Sequence, residues 1–174
     1  AVHEDGDHRY VLGEATVATY AKELEGATLV GTIQGTELVG KTYTPLFDYF
    51  ADTPNAFRVL AGDFIETEEG TGVVHMASGF GEIDLATCQA NGIGVVAPVD
   101  EHGQFTGEVP EWAGVQVFDA NAGIIRALKD KGNVVRHETY DHSYPHCWRT
   151  DTPLIYKAVS SWFVRGTAIR DRML

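Results

Sequence analysis

The placement of glycine constrains the fold of this chain more than any other feature of its sequence. Nineteen glycines occur among 174 residues, and they separate short runs that are rich in β-branched residues. Within residues 29–43, for example, Gly31, Gly35 and Gly40 interrupt one such run. Because glycine inside a strand pattern marks a bend, the sequence predicts short, strongly curved strands. We expect a β-rich domain with a closed or strongly curved sheet.

Helical spacing occurs in few places. Apolar residues recur at helical intervals over residues 17–24 and 82–90, and the clearest pattern covers Ala120–Lys131, with Asp119 as the expected N-cap. Strands are predicted over residues 9–12, 57–65, 72–76, 95–99, 115–118 and 133–138. A chain of this length is expected to form one domain with a full hydrophobic core. The sequence therefore predicts one mixed α+β domain with about three helices.

Charge is distributed unevenly along the chain, whose net charge is −12. Residues 59–125 contain 11 acidic and no basic residues, whereas residues 126–174 contain nine basic and five acidic residues. The overall balance argues against a general nucleic-acid binder, because nonspecific phosphate binding requires clustered lysine and arginine. A polyanion could still approach the basic end, and a solvated acidic face is the alternative explanation for the middle.

No apolar stretch approaches the ~20 residues that a membrane span requires, and no signal-peptide pattern opens the chain. Cys88 and Cys147 could form at most one disulfide, which suits a reducing compartment. The sequence therefore predicts a cytoplasmic protein. Because the chain begins at Ala1 and ends inside an amphipathic pattern, we expect it to be an excised piece of a longer chain.

Residues 70–84 contain the most informative chemistry. An apolar strand ends at His75, a glycine-rich turn reverses the chain, and Asp84 follows in the first turn of a predicted helix. Strand ends and helix starts commonly converge on a pocket. The alternatives are that His75 is a core or rim histidine with satisfied hydrogen bonds, and that Asp84 only complements the helix dipole.

His142, His146 and Cys147 are residue types that bind metals, and they lie close together in the sequence. Tyr144-Pro145 prevents the helix that would align the two histidines, and no second cysteine follows at a zinc-site spacing. The sequence therefore predicts no metal.

Three motifs together resemble the editing insertion of isoleucyl-tRNA synthetase. The first is Gly-Thr-Gly-Val-Val-His at 70–75 with Asp84 nine positions further on. The others are His-Ser-Tyr-Pro-His-Cys-Trp-Arg at 142–149 and Ser-Ser-Trp-Phe-Val at 160–164. The resemblance covers nearly the whole chain. Related insertions of valyl and leucyl synthetases typically lack the histidine at position 75, so His75 favours the isoleucyl member.

The resemblance implies a β-barrel-like editing domain over residues 1–141, incomplete at its N-terminus, and a return arm over residues 142–174 toward the synthetic core. The family's Thr-rich strand, which lines the same pocket, would lie upstream of Ala1. The implied activity is hydrolysis of valine that has been wrongly attached to the isoleucine tRNA.

The resemblance also implies a site. Asp84 would bind the α-ammonium group of the aminoacyl moiety, and His75 would border the side-chain pocket and refuse isoleucine. These two are the predicted catalytic residues, acting by positioning while water is the nucleophile. Met76, Ser78 and Thr150 depart from the family's usual residues. The predicted substrate-binding set is His75, Ala77, Phe80, Gly81 and Asp84.

No cofactor is expected in this domain, because ATP and magnesium would serve only the synthetic domain. The expected partners are the isoleucine tRNA carrying valine and the remainder of the synthetase chain. No membrane partner is expected, and the protein is expected to be a monomer. Two alternatives stay open: a noncatalytic tRNA-docking module, and an editing domain of valyl or leucyl type.

Overall fold

A small antiparallel sheet lies at the N-terminal end of the chain. The structure is a computed structural model that describes residues 1–66, 68 and 70–173. Strands β1 (Val2–Asp5), β2 (His8–Val11) and β3 (Thr28–Gly31) are ordered β2-β1-β3. The β1–β2 hairpin pairs Val2 with Val11, and Gly6 takes a φ of 56° in its turn, where a side chain would be strained.

Three α-helices follow the sheet along the described chain, and short 3₁₀ helices lie both between its strands and after it. In the described residues these are α1 (Glu82–Ala90), α2 (Val117–Asp130) and α3 (Gly166–Met173), with four short 3₁₀ helices at Glu14–Tyr20, Gly35–Glu37, Asp48–Phe50 and Pro110–Trp112. The helix predicted over residues 82–90 is confirmed, and the α+β class is confirmed with it. The helix predicted over residues 17–24 is instead the 3₁₀ helix that ends at Tyr20.

Helix α2 begins earlier than predicted. The side chain of Gln116 accepts a hydrogen bond from the backbone N–H of Phe118 at 2.7 Å and is the actual N-cap. The predicted cap, Asp119, therefore lies in the first turn, where its negative charge complements the helix dipole. The predicted strand over residues 115–118 is consequently wrong, since its last two residues belong to α2 and Gln116 makes only an isolated bridge with Gln104.

Most other predicted strands do not form ladders in the described structure. Of the stretch 29–43, only the part up to Gly31 belongs to a strand, and Thr42 makes an isolated bridge with Arg58. Residues 133–138 also lie outside the strands. A ladder requires a partner strand, which local pattern cannot supply. The sheet is small and open, and the barrel-like arrangement remains a prediction.

The buried part of the molecule is small. The buried apolar side chains are those of Leu12, Cys88, Val99, Val109 and Ala120. The accessible surface is 13342 Å², whereas a compact chain of this mass would expose about 8,400 Å². Among the described residues, the expected full hydrophobic core is therefore not formed.

In the part of the chain that the structure describes, no helix is both long enough and apolar enough to span a membrane.

Candidate functional site

A tight turn at residues 77–81 leads directly into α1 and organises the candidate site. The backbone N–H of Ala77 donates to Asp84 Oδ2 at 2.8 Å, and the N–H of Phe80 donates to the Ala77 carbonyl at 3.0 Å. Gly81 is the extended N-cap residue of α1, and its carbonyl accepts the N–H of Leu85 at 2.8 Å. Four of the predicted substrate-binding residues therefore lie together at the start of α1. They are Ala77, Phe80 and Gly81 in the turn, and Asp84 in the first turn of the helix.

The carboxylate of Asp84 has one engaged oxygen and one that is unengaged. Oδ2 is held by the N–H of Ala77, while no hydrogen bond to Oδ1 occurs among the described residues. The side chain lies in the first turn of α1, where the helix dipole stabilises a negative charge. Asp84 is half-buried, so partial shielding from water would strengthen an ion pair with a bound cation. This arrangement suits the binding of an ammonium group.

Two residues that sequence reasoning did not assign to the site hold the turn in place. The hydroxyl of Ser78 is buried and accepts the N–H of Val96 at 3.0 Å. A Cβ atom on Gly79 would lie 2.3 Å from the carbonyl oxygen of Val96, and the Gly79 carbonyl accepts the N–H of Ala158 at 2.8 Å. The glycine-rich run was the available signal, because glycine permits such close approach.

We expect Gly79→Ala to destabilise the chain by about 1–3 kcal/mol, because the added methyl group would have to displace the backbone at Val96. Urea unfolding followed by circular dichroism measures the change. Gly94→Ala is the matched control, since a Cβ at that exposed position meets nothing within 4 Å. Equal urea unfolding midpoints for the two variants would contradict the close contact between Gly79 and the Val96 carbonyl.

His75 precedes the turn by two residues and is exposed. Among the residues described, its ring makes no hydrogen bond or ion pair, with Asp84 or with any other residue. Exposure removes the core-histidine alternative, because a core residue is shielded from water. Its role as a size filter remains a prediction.

Two clefts lie away from the turn. They have volumes of about 650 and 530 Å³, and both are lined by Glu23, Val135 and Arg136, while neither includes His75 or Asp84. The Arg136 guanidinium is paired there, since its Nε lies 3.6 Å from Glu23 Oε1, whereas Glu23 Oε2 is buried and has no hydrogen-bond partner among the described residues. The predicted site therefore does not coincide with either cleft.

The two cysteines are free thiols in opposite environments. Burial, with the negative charge of Asp84, raises the pKa of the Cys88 thiol, so that this neighbour of the site stays protonated at neutral pH. A hydrogen bond from the Thr150 hydroxyl, aided by the N–H groups of Arg149 and Thr150, lowers the pKa of Cys147. Cys88, the thiol beside Asp84, is therefore not an activated thiolate.

The two histidines considered for metal binding place one ring nitrogen each beside a backbone carbonyl close in sequence. His142 Nδ1 lies 2.9 Å from the Ser143 carbonyl, and His146 Nδ1 lies 2.9 Å from the Tyr144 carbonyl. Within residues 1–66, 68 and 70–173, no group of three or more histidine, cysteine or acidic side chains could hold a metal ion. Cys147 lacks the additional ligands that a structural zinc site needs.

We expect the purified chain to contain no stoichiometric zinc, and we expect a chelator to leave its melting temperature unchanged. A structural zinc ion contributes to folding directly, so its removal would lower that temperature. Elemental analysis and thermal unfolding with and without the chelator provide the measurements. Zinc near one equivalent per chain would contradict the interpretation of His142, His146 and Cys147.

Comparison with known proteins shows what this chain is similar to. No family model matches the chain. It is 55% identical over 171 residues to the isoleucine–tRNA ligase of Rickettsia bellii, a match that covers 97% of this chain and 15% of the ligase. The isoleucine–tRNA ligase of Mycobacterium tuberculosis is 53% identical over 178 residues, with 97% and 17% covered. That of Rickettsia typhi is 52% identical, with 100% and 16% covered.

These matches place the chain with segments of aminoacyl-tRNA synthetases. More particularly, it is homologous to a segment of isoleucine–tRNA ligases, and the resemblance predicted from the motifs is confirmed. The chain spans only about 15–17% of the length of the curated relatives it matches.

Proposed function

We propose that this chain hydrolyses valine from wrongly charged isoleucine tRNA, as the editing segment of an isoleucine–tRNA ligase. The observation that carries the proposal is the carboxylate of Asp84. Its Oδ2 is held by the N–H of Ala77, and its Oδ1 is unengaged among the described residues at the start of α1. The similarity to isoleucine–tRNA ligases over nearly the whole chain supports this choice of substrate.

A second site is needed because valine is smaller than isoleucine. One missing methylene changes binding by only about 1–3 kcal/mol, a figure that this synthetase family itself exemplifies, so a synthetic site cannot exclude valine. Hydrolysis at a site too small for isoleucine removes the error.

In the proposed reaction, Asp84 Oδ1 accepts charge-assisted hydrogen bonds from the α-ammonium group of the valyl ester. Ala77, Phe80 and Gly81 form the turn against which the ester lies, and His75 limits the size of the side chain. Water attacks the ester carbonyl, the bond between the carbonyl carbon and the ribose oxygen breaks, and the free ribose hydroxyl helps to activate the water. ATP and magnesium would serve the synthetic reaction only.

The proposed partners follow from this reaction. They are the isoleucine tRNA carrying valine and the remainder of the ligase, and the proposed setting is a cytoplasmic monomer. The basic end of the chain, residues 126–174, would face the RNA, because its net positive charge attracts phosphate.

The second candidate is a noncatalytic tRNA-docking module. Trp148 favours this candidate, since its side chain is 88% exposed and the guanidinium carbon of Arg149 lies over its ring, 5.1 Å from the ring centroid. Exposed aromatic rings beside cations stack on unpaired bases. Such a module would bind tRNA without hydrolysing the ester. A valyl- or leucyl-type editor is disfavoured by the isoleucine ligases found among the relatives.

The test uses a hybrid ligase, defined as the Mycobacterium tuberculosis isoleucine–tRNA ligase in which this chain replaces the matching segment. We expect the hybrid ligase to release valine from Val-tRNA faster than a ligase that lacks the segment. The isolated chain is assayed beside it. Tight tRNA binding with no release of valine in either form would overturn the proposal in favour of docking.

A further inference from the structure

The segment 154–158 of the predicted return arm crosses the candidate site. The N–H of Ala158 donates to the Gly79 carbonyl at 2.8 Å. The preceding residue, Lys157, directs its ammonium group at the carbonyl oxygens of Val99 and Asp100, the latter at 3.1 Å. Two consecutive residues of the arm thus hold two different segments of the site region.

The Lys157 ammonium group stabilises a turn that is rich in acceptors. Lys157 is half-buried, and the carboxylate of Asp100 accepts the N–H groups of His102 and Gln104 at 2.8 and 2.9 Å. The N–H donors of Gln104 and His102, with the charges of His102 and Lys157, lower the pKa of Asp100. A neutral, non-donating side chain at position 157 would leave the two carbonyl oxygens without this donor.

The segment at residues 95–100 is itself linked to the site. Its N–H at Val96 donates to Ser78, and its backbone lies so close to Gly79 that a Cβ there would overlap it. Ala77, which immediately precedes Ser78, donates its backbone N–H to the Asp84 carboxylate. A continuous path of hydrogen bonds and close packing therefore runs from Lys157 to the Asp84 carboxylate.

We propose that Lys157 is a positioning residue of the editing site: by joining the arm to the 95–100 segment, it holds the 77–81 turn and the Asp84 carboxylate in their binding geometry. The proposal rests on the proposed function. Lys157 acts through the backbone of the turn and does not touch substrate. Docking of the arm and competence of the site are consequently coupled.

Amide hydrogen exchange of the 174-residue chain tests the coupling. Lys157→Met removes the charge and the N–H donors but retains a side chain of similar length. Lys157→Arg retains the charge and the donors. We expect Lys157→Met to accelerate exchange over residues 77–84 and 95–100 by about tenfold, with the β1–β2–β3 sheet unchanged. Lys157→Arg should restore most of the protection. Lys129→Ala, at an exposed lysine in the last turn of α2, is the control.

A purely structural role predicts a different pattern, in which Lys157→Met accelerates exchange throughout the chain and lowers the melting temperature. That pattern, or unchanged exchange at residues 77–84, would overturn the proposal. Should Lys157→Met fail to fold, Lys157→Gln removes the charge but retains a donor on a shorter side chain, and it should accelerate exchange over the same residues by less than Lys157→Met would, with the sheet unchanged; unchanged exchange at residues 77–84 in this variant would overturn the proposal.

Kinetics of the hybrid ligase supply the functional readout. We expect Lys157→Met to lower kcat/KM for Val-tRNA deacylation about tenfold, with isoleucine activation unchanged and with rescue by Lys157→Arg. Normal deacylation by Lys157→Met would overturn the positioning role while leaving the proposed function intact. Accelerated exchange at residues 77–84 in a chain whose wild-type form does not deacylate would instead support the coupling and reject the proposed function.

Discussion

Replacing Asp84 with alanine in the hybrid ligase is expected to slow Val-tRNA deacylation by roughly tenfold to a hundredfold, with isoleucine activation unchanged. The substrate ammonium group would lose the carboxylate that Oδ1 offers, and a charge-assisted hydrogen bond contributes about 1.5–3 kcal/mol. Deacylation of Val-tRNA and isoleucine-dependent pyrophosphate exchange measure the two activities separately.

The alanine variant also removes the acceptor for the N–H of Ala77, so a second variant is needed to separate the two effects. Asp84→Asn retains an oxygen acceptor for that N–H but carries no charge. We expect it to retain the turn while still losing most of the deacylation. Glu82→Ala, at an exposed carboxylate in the same helical turn, is the control and should retain activity. Full activity of Asp84→Asn would exclude ammonium binding by this carboxylate.

Replacing His75 with alanine is expected to change specificity rather than rate. If His75 limits the pocket, the smaller residue admits the additional methylene of isoleucine, and the hybrid ligase begins to deacylate correctly charged Ile-tRNA. The ratio of kcat/KM for Ile-tRNA to that for Val-tRNA should rise about 10- to 200-fold, the range that one methylene can discriminate. Because His75 is exposed, the free energy of unfolding should change by less than about 0.5 kcal/mol.

The matched control for this variant is Val73→Ala, which shortens another exposed side chain of the same segment. It should leave the ratio of the two substrates unchanged. A wild-type ratio in folded His75→Ala would remove His75 from the site. It would also remove the feature by which the motifs distinguished the isoleucyl member from its valyl and leucyl relatives.

Local features of the sequence accounted for the elements whose signals lie within a few residues of each other. Helix α1 formed within its predicted bounds, because its spacing and flanking glycines, Gly81 and Gly92, are local. The hairpin strand β2 also fell where it was predicted, within one residue at each end. The grouping of Ala77, Gly81 and Asp84 followed from the same short segment, since a helix start after a tight turn brings these positions together.

The spacing of apolar residues did not predict a helix end or a strand where another residue, near or far in the sequence, supplied the decisive hydrogen bond. At the start of α2, Gln116 rather than Asp119 caps the helix, because the side-chain oxygen of Gln116 accepts the N–H of Phe118. Among the described residues, most of the predicted strands have no ladder partner, and the three-stranded sheet is open.

The sequence by itself determined the relationship to isoleucine–tRNA ligases, the α+β class and the turn that presents Asp84. Only the tertiary structure decided what holds that turn. Ser78 and Gly79 meet Val96, which lies 18 residues from Ser78, and Lys157 reaches Val99 across 58 residues. No periodicity along the chain encodes such pairs, because their energy depends on close packing and on hydrogen bonds that exist only once the backbone segments have come together.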